Sequence, residues 1–258
     1  MNSSSVLAGQ DARGIATVTF NRPDKANSYD YPMIAAVARH AERFAADEKV
    51  RAVVIRGAGK HFSAGSDVSV GVEPEDPKDR TIFQILLMLD AIPKPTVAVV
   101  QGACLGSGFA LASCCDIVLA DRSAFFSMPE VRLGFSPGSM AYLFARAVGA
   151  RNVRRYAMTG QRFPAEAAFR MGLVHELCDD AQALERALAA QLEEILLAAP
   201  NAAASAKRVA RKLMGGLPSD AESAELQADF LRAQESAEAK EGKAHFREKR
   251  KPAWYPKP

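Results

Sequence analysis

Strand-like apolar runs alternate with helical patterns over about 180 residues of the 258-residue chain, and few architectures accommodate such an alternation. Ile15–Phe20 alternates in the manner of a strand and stops at the turn signal Asn21-Arg22-Pro23-Asp24. Ile34, Val37, Ala38, Ala41 and Phe44 then recur at helical spacing within residues 31–46. Val50–Ile55 reads as a buried strand. A small-residue loop follows from His61 to Val70, then a charged connection over 72–80 and a helix over 81–89 broken by Ile92-Pro93-Lys94-Pro95. Thr96–Val100 is the next strand, followed by a glycine turn over 102–108, a buried helix over 107–115, and short strands at 117–120 and 124–127. A loop over 128–138, helices near 142–148, 153–158 and 164–171, and a last strand at 173–177 complete an α/β pattern. From Asp179 onward the pattern is helical. Asp179 or Asp180 caps one helix, Asn201 caps the next up to Gly215-Gly216, and two more cover 219–232 and 236–249.

Composition narrows the functional classes. With 48% hydrophobic and 24% charged residues the chain is globular, and its longest apolar runs fall far short of the about 20 residues of a membrane span. Met1–Gly9 lacks the basic and apolar regions of a signal peptide. Cys104, Cys114, Cys115 and Cys178 read as reduced core residues of a cytoplasmic protein. A net charge of +3 is too small to imply nucleic acid. The tail over 243–251 is locally basic, which suits a solvated helix end or contact with an anionic small molecule; RNA binding has only that short cluster behind it.

Several chemistries are disfavoured by spacing. His40, His61, His175 and His245 are scattered without ligand spacing, so no metal site is expected. Gly134-Phe135-Ser136-Pro137-Gly138 matches a hydrolase elbow, but Pro137 has no amide hydrogen to give an oxyanion. Gly106-Ser107-Gly108 follows a strand, yet the third glycine of a dinucleotide loop would fall at Leu111.

Two small-residue turns remain, His61–Val68 and Gly102–Ala110, each following a strand. Small side chains admit a ligand close to the backbone, and two amides aimed at one point would hold an oxygen that gains negative charge. The alternative is that both turns simply pack helix on strand. Among the nearby acids, Asp116 and Asp121 read as turn or cap residues. Glu130 lies in an apolar stretch over 125–133, where desolvation would keep it basic enough to move a proton; a surface pair with Arg132 is the competing reading.

Asn21-Arg22-Pro23, Phe62-Ser63-Ala64-Gly65-Ser66-Asp67, Pro93-Lys94-Pro95-Thr96, Gly102–Gly108 followed by Cys115-Asp116-Ile117, Pro129-Glu130-Val131-Arg132-Leu133-Gly134, Thr159–Phe163, Gly172-Leu173-Val174 and Phe246–Arg250 occur in one order along nearly the whole chain. In that order the chain resembles the enoyl-CoA hydratase/isomerase (crotonase) superfamily. The resemblance implies a spiral of ββα units over residues 1–199. A helical region over 200–258 would serve trimerisation, as a homotrimer or dimer of trimers, and CoA contact. It implies an acyl-CoA thioester as substrate, a place in fatty acid metabolism and no separate cofactor or metal; by charge and apolar run length, neither nucleic acid nor membrane is expected as partner.

By position, the resemblance puts the oxyanion donors on the amides of Ser66 and Ser107 and the proton-moving carboxylate on Glu130. It puts CoA and substrate near Lys25, Ser63, Ala64, Asp67, Gly106, Phe246 and Lys249, the tail residues coming from the same or a neighbouring subunit. Many hydratases of the family carry a second glutamate, and here that place is Ala110. Two carboxylates orient a water for hydration, whereas one suffices to move a proton between C2 and C4. Yet some relatives regarded as hydratases lack the first glutamate, and the stretch from Arg154 to Glu176 resembles those. The expectation is therefore hydration of a 2-enoyl-CoA, with double-bond isomerisation or non-catalytic acyl-CoA binding as alternatives.

Overall fold

The apolar strand runs pair into one six-stranded sheet because every second residue can then be buried on each face. The computed structural model describes residues 4–70, 74–213 and 219–256. The strands are β1 (Val6–Gln10), β2 (Ile15–Phe20), β3 (Ala52–Gly57), β4 (Thr96–Val100), β5 (Ala103–Leu105), β6 (Ile117–Asp121), β7 (Phe125–Ser127), β8 (Phe163–Pro164) and β9 (Glu176–Cys178). The main sheet runs β1-β2-β3-β4-β6-β9, antiparallel only between β1 and β2; a small sheet, β5-β7-β8, stands beside it.

Val53, Ile55, Ala98 and Val100 face the larger core, shared with α1 (Tyr31–Ala46), α2 (Ile82–Asp90), α3 (Ser107–Ser113) and α4 (Met140–Val148). Ala52, Val54, Val97 and Val99 face the other way, onto Leu184, Leu188, Leu192 and Ile195 of α7 (Ala181–Leu197). Helices α5 (Ala150–Thr159) and α6 (Ala165–Arg170) flank the small sheet, and α8 (Pro200–Leu213), α9 (Asp220–Gln234) and α10 (Ala237–Glu248) form the tail.

Side chains start three of the helices, and of these caps only Asp180 was expected from the sequence. Asp30 accepts from the Met33 amide, Thr81 and Gln84 form a reciprocal capping box, and Asp180 accepts from the Ala183 amide. Other expectations need correction. β1 has no counterpart in the sequence reading; it is an edge strand with alternate residues exposed, so little of it looks like core. The last strand is β9, later than 173–177, because Leu173 and Val174 are buried in a turn that folds back on Ala168. Residues 129–133 form a short 3-10 helix within the expected loop. Helix α8 begins at Pro200, and the Asn201 and Ala202 amides donate to the carboxylate of Glu238 on α10 instead of to an Asn201 cap. Gly215-Gly216 and Val72 lie outside the described residues.

Candidate active site

The turn after β3 is built on buried Asn27. Its side chain accepts from the Arg22 amide at 2.9 Å and donates to the carbonyls of Ala58 and His61, joining three segments. Ser63 is fully buried: its hydroxyl donates to Asn27 O and accepts from the Gly65 amide, while its amide and carbonyl pair with Ala103 and Leu105. Ser63 therefore shapes the turn with every polar atom engaged. The Ala64 amide donates to Ala26 O. Tyr29 runs parallel to Ser66, with its amide donating to Gly65 O and its carbonyl accepting from the Asp67 amide. That pairing leaves the Ser66 amide outside the ladder.

The second turn meets the first almost without side chains between them. Gly65 has φ +88°, and a Cβ there would stand 2.6 Å from Leu105 O and 3.3 Å from Ser107 N. Gly106 has φ +51° and leads into α3, whose first residue is Ser107. The first amides of a helix have no acceptor within it. Among the described residues neither the Ser66 nor the Ser107 amide donates to a protein acceptor. The two serine hydroxyls lie 2.7 Å apart, so the turns are joined directly.

Glu130 stands on the other side of Gly106. Its Oε1 lies 3.0 Å from the point a Gly106 Cβ would occupy, its residue is 9% exposed, and Oε2 has no hydrogen-bond partner among the described residues. Burial raises its pKa above the usual 4.5, and its own backbone amide opposes that only in part. Among the described residues no ion pair joins Glu130 to Arg132, whose Nε donates to Thr159 O. Ser136 is exposed and accepts from the Gly138 amide, while His175 Nδ1 accepts from the Val118 amide, so neither belongs to a hydrolase triad. Asp116 binds Thr96 and Lys207, and Asp121 binds Ser123; both are structural.

The remaining candidates divide. Asp67 is buried beside the first turn, where Ser69 chiefly, then Lys25 and Arg22, hold its carboxyl below the usual range. Lys25 is half-exposed at that rim. Phe246, 80% exposed, lies on α10 and Lys249 caps its C-terminal end; the segment that follows packs at the start of β3 through Arg51 and Trp254. The first turn leaves from the far end of β3, about 20 Å away at some 3.3 Å per residue. Within one chain the structure thus brings Ser63, Ala64, Ser66, Asp67, Gly106, Ser107, Glu130 and Lys25 together and leaves the tail residues apart. Asn27 and Tyr29 were missed by sequence reasoning. A lone Asn after a proline turn and a Tyr before a cap carry no local signal of reaching a second turn.

Among the described residues, no group of three or more His, Cys, Asp or Glu could hold a metal, and no helix is long and apolar enough to cross a membrane. The four cysteines are free thiols.

Residues 10–257 match the family model described as enoyl-CoA hydratase/isomerase. A Thermus thermophilus protein described as an enoyl-CoA hydratase is 32% identical over 246 residues, spanning 92% of this chain and 96% of its own. An Escherichia coli 1,2-epoxyphenylacetyl-CoA isomerase is 33% identical over 194 residues, 69% of this chain and 74% of its own. The solved structure of Pseudomonas aeruginosa AtuE, 34% identical, superposes with a TM-score of 0.91 over 98% of this chain and 100% of its own. The chain belongs to the enoyl-CoA hydratase/isomerase family, with the mixed α/β crotonase fold and its C-terminal helical region.

Proposed function

We propose that the protein hydrates a 2-enoyl-CoA thioester. The thioester oxygen sits between the amides of Ser66 and Ser107, and Glu130 lies beside the carbons to be protonated. Glu130 takes a proton from water as the water oxygen bonds to C3. The C2–C3 π electrons move toward the thioester oxygen, giving an enolate that the two amides stabilise. Glu130 then returns the proton to C2. The observation that carries this reading is the Glu130 carboxyl: buried, unpaired at Oε2, raised in pKa and set against Gly106 between the turns. No second cofactor or metal enters these steps, since coenzyme A arrives as part of the substrate.

Ala110 favours a second reaction. It is fully buried in the apolar core, so the place of the family's first glutamate offers no proton donor. With one carboxylate, Glu130 would take the C2 proton of a 3-enoyl-CoA and return it to C4. Offering 2-trans-enoyl-CoA and 3-enoyl-CoA separately distinguishes the two. Conversion of the first supports hydration, and conversion of only the second replaces it by isomerisation. Binding without turnover or C2 exchange would mark a non-catalytic acyl-CoA carrier.

For the CoA moiety, half-exposed Lys25, 3.6 Å from Asp67 at the rim, is the cation that meets the ligand. Because Phe246 and Lys249 lie at the other end of the sheet, their contribution comes from a neighbouring copy in a homotrimer or dimer of trimers.

A further inference from the structure

Three hydroxyl groups beneath the two turns play no part in the steps above. Ser66 Oγ and Ser107 Oγ are 2.7 Å apart, and either could donate. Ser107 is buried and Ser66 half-buried, so Ser66 is the outer end of the pair. Behind them lies Tyr29, fully buried, its ring stacked on Phe20. Its hydroxyl makes no hydrogen bond among the described residues, and the side chains that act on it are those of Ser107, Cys104, Cys114 and Glu130. Tyr29 is fixed to the first turn through its backbone pairing with Ser66, while its side chain reaches the second.

We propose that Tyr29, Ser107 and Ser66 form a one-way chain of hydroxyl donors whose Ser66 end gives the thioester oxygen a third hydrogen bond. This rests on the reading that the oxygen sits between the Ser66 and Ser107 amides. Direction follows from counting protons. Burial keeps the Tyr29 phenol protonated, and donation from Tyr29 to Ser107 is the order that leaves none of the three O–H groups without an acceptor once a ligand is bound. Ser107 is the hydroxyl that acts on Tyr29, and the proposed chain requires Tyr29 to donate to it. Once Ser107 accepts from Tyr29, its own proton goes to Ser66, and the Ser66 proton is left for the ligand. Each bond polarises the next, so the effect is felt most as charge develops on the oxygen. Tyr29 and Ser107 are positioning residues; Ser66 touches substrate through amide and hydroxyl together.

The test follows C2 proton exchange of butyryl-CoA in heavy water, a readout available to any enolate-forming site. Tyr29→Phe removes only the buried hydroxyl. It is expected to lower the saturated exchange rate about tenfold, with KM within about twofold and thermal stability equal or higher, because an unpaired buried group is gone. Ser66→Ala is expected to do at least as much, and Ser66→Thr to restore most of the rate. The double variant Tyr29→Phe/Ser66→Ala should be no slower than Ser66→Ala alone, since Tyr29 acts through Ser66. Ser107→Ala, which keeps the amide, serves if the Tyr29 variant fails to fold. Exchange within about twofold of wild type in Tyr29→Phe, or losses that multiply in the double variant, would overturn the chain of donors. Glu130→Gln separates the two levels: if it abolishes exchange while Tyr29→Phe is silent, the donor chain alone fails. If Glu130→Gln exchanges at the wild-type rate, the site reading fails and this proposal with it.

Discussion

Residues 63–67 and 104–108 are tied into the fold by buried hydrogen bonds, two glycines at positive φ and the fully buried Asn27 and Tyr29. Helices α9 and α10 bury no residue and leave Phe230, Leu231 and Phe246 more than half exposed. Arg208–Asp229, Lys212–Glu225 and Arg250–Glu241 hold them mainly through exposed ion pairs, which contribute little each. A single chain therefore sets the geometry around Glu130 unaided, whereas the tail presents apolar side chains that its own core does not cover. Between these extremes is α8, whose Arg211 joins Arg146 of α4 on buried Asp90 and whose Lys207 binds Asp116.

The contrast sharpens or breaks on four variants. Glu130→Gln should lower turnover by at least about a hundredfold, the scale of a lost general base. It should not lower stability at neutral pH. With the folded pKa raised above 4.5, the wild type is penalised as pH climbs through that interval. The stability advantage of Gln should therefore be present at pH 7 and vanish below about pH 4.5, checked by denaturant titration at both pH values. The same raised pKa should make wild-type kcat/KM fall on the acid side, at a pH above 4.5.

Gly65→Ala forces a side chain at φ +88° against Leu105 O. It should cost about 2 kcal/mol and slow turnover as well, because the two turns must separate. Asp90→Asn leaves two arginines facing a neutral group and should cost about 2 kcal/mol in the same titration, reduced from the fully buried case because Arg211 is partly exposed. A silent Asp90 variant would place α8 with the loose tail. Least of all, Phe246→Ala/Lys249→Ala should leave the denaturation midpoint unchanged and raise KM for acyl-CoA about tenfold with kcat kept. An unchanged KM would remove the tail from CoA contact.

The sequence was legible where period and burial coincide. Val50–Ile55 and Thr96–Val100 read as strands because both faces of the sheet are buried, and Ile34, Val37, Ala41 and Phe44 mark one helix face. The two turns stood out as runs of small residues, and Glu130 as an acid in an apolar stretch. Edge strand β1 was hidden because its identity depends on pairing with β2 and only Val6 is fully buried. Asn27 and Tyr29 were hidden for a different reason. Besides the local Arg22–Asn27 bond, they reach Ala58, His61 and Gly65, 31 or more residues away, and no local pattern encodes that approach. The tail helices were legible as helices, but their relation to the site was not, since the segment after α10 docks at the opposite end of β3 from the turns.

The most direct measurement is a crystal structure of the Glu130→Gln protein with bound 2-butenoyl-CoA. The expected result has the thioester oxygen within about 3.1 Å of both the Ser66 and Ser107 amide nitrogens, with residue 130 facing C2 and C3. A thioester oxygen that meets neither amide, or a residue 130 turned away from the acyl carbons, would contradict it.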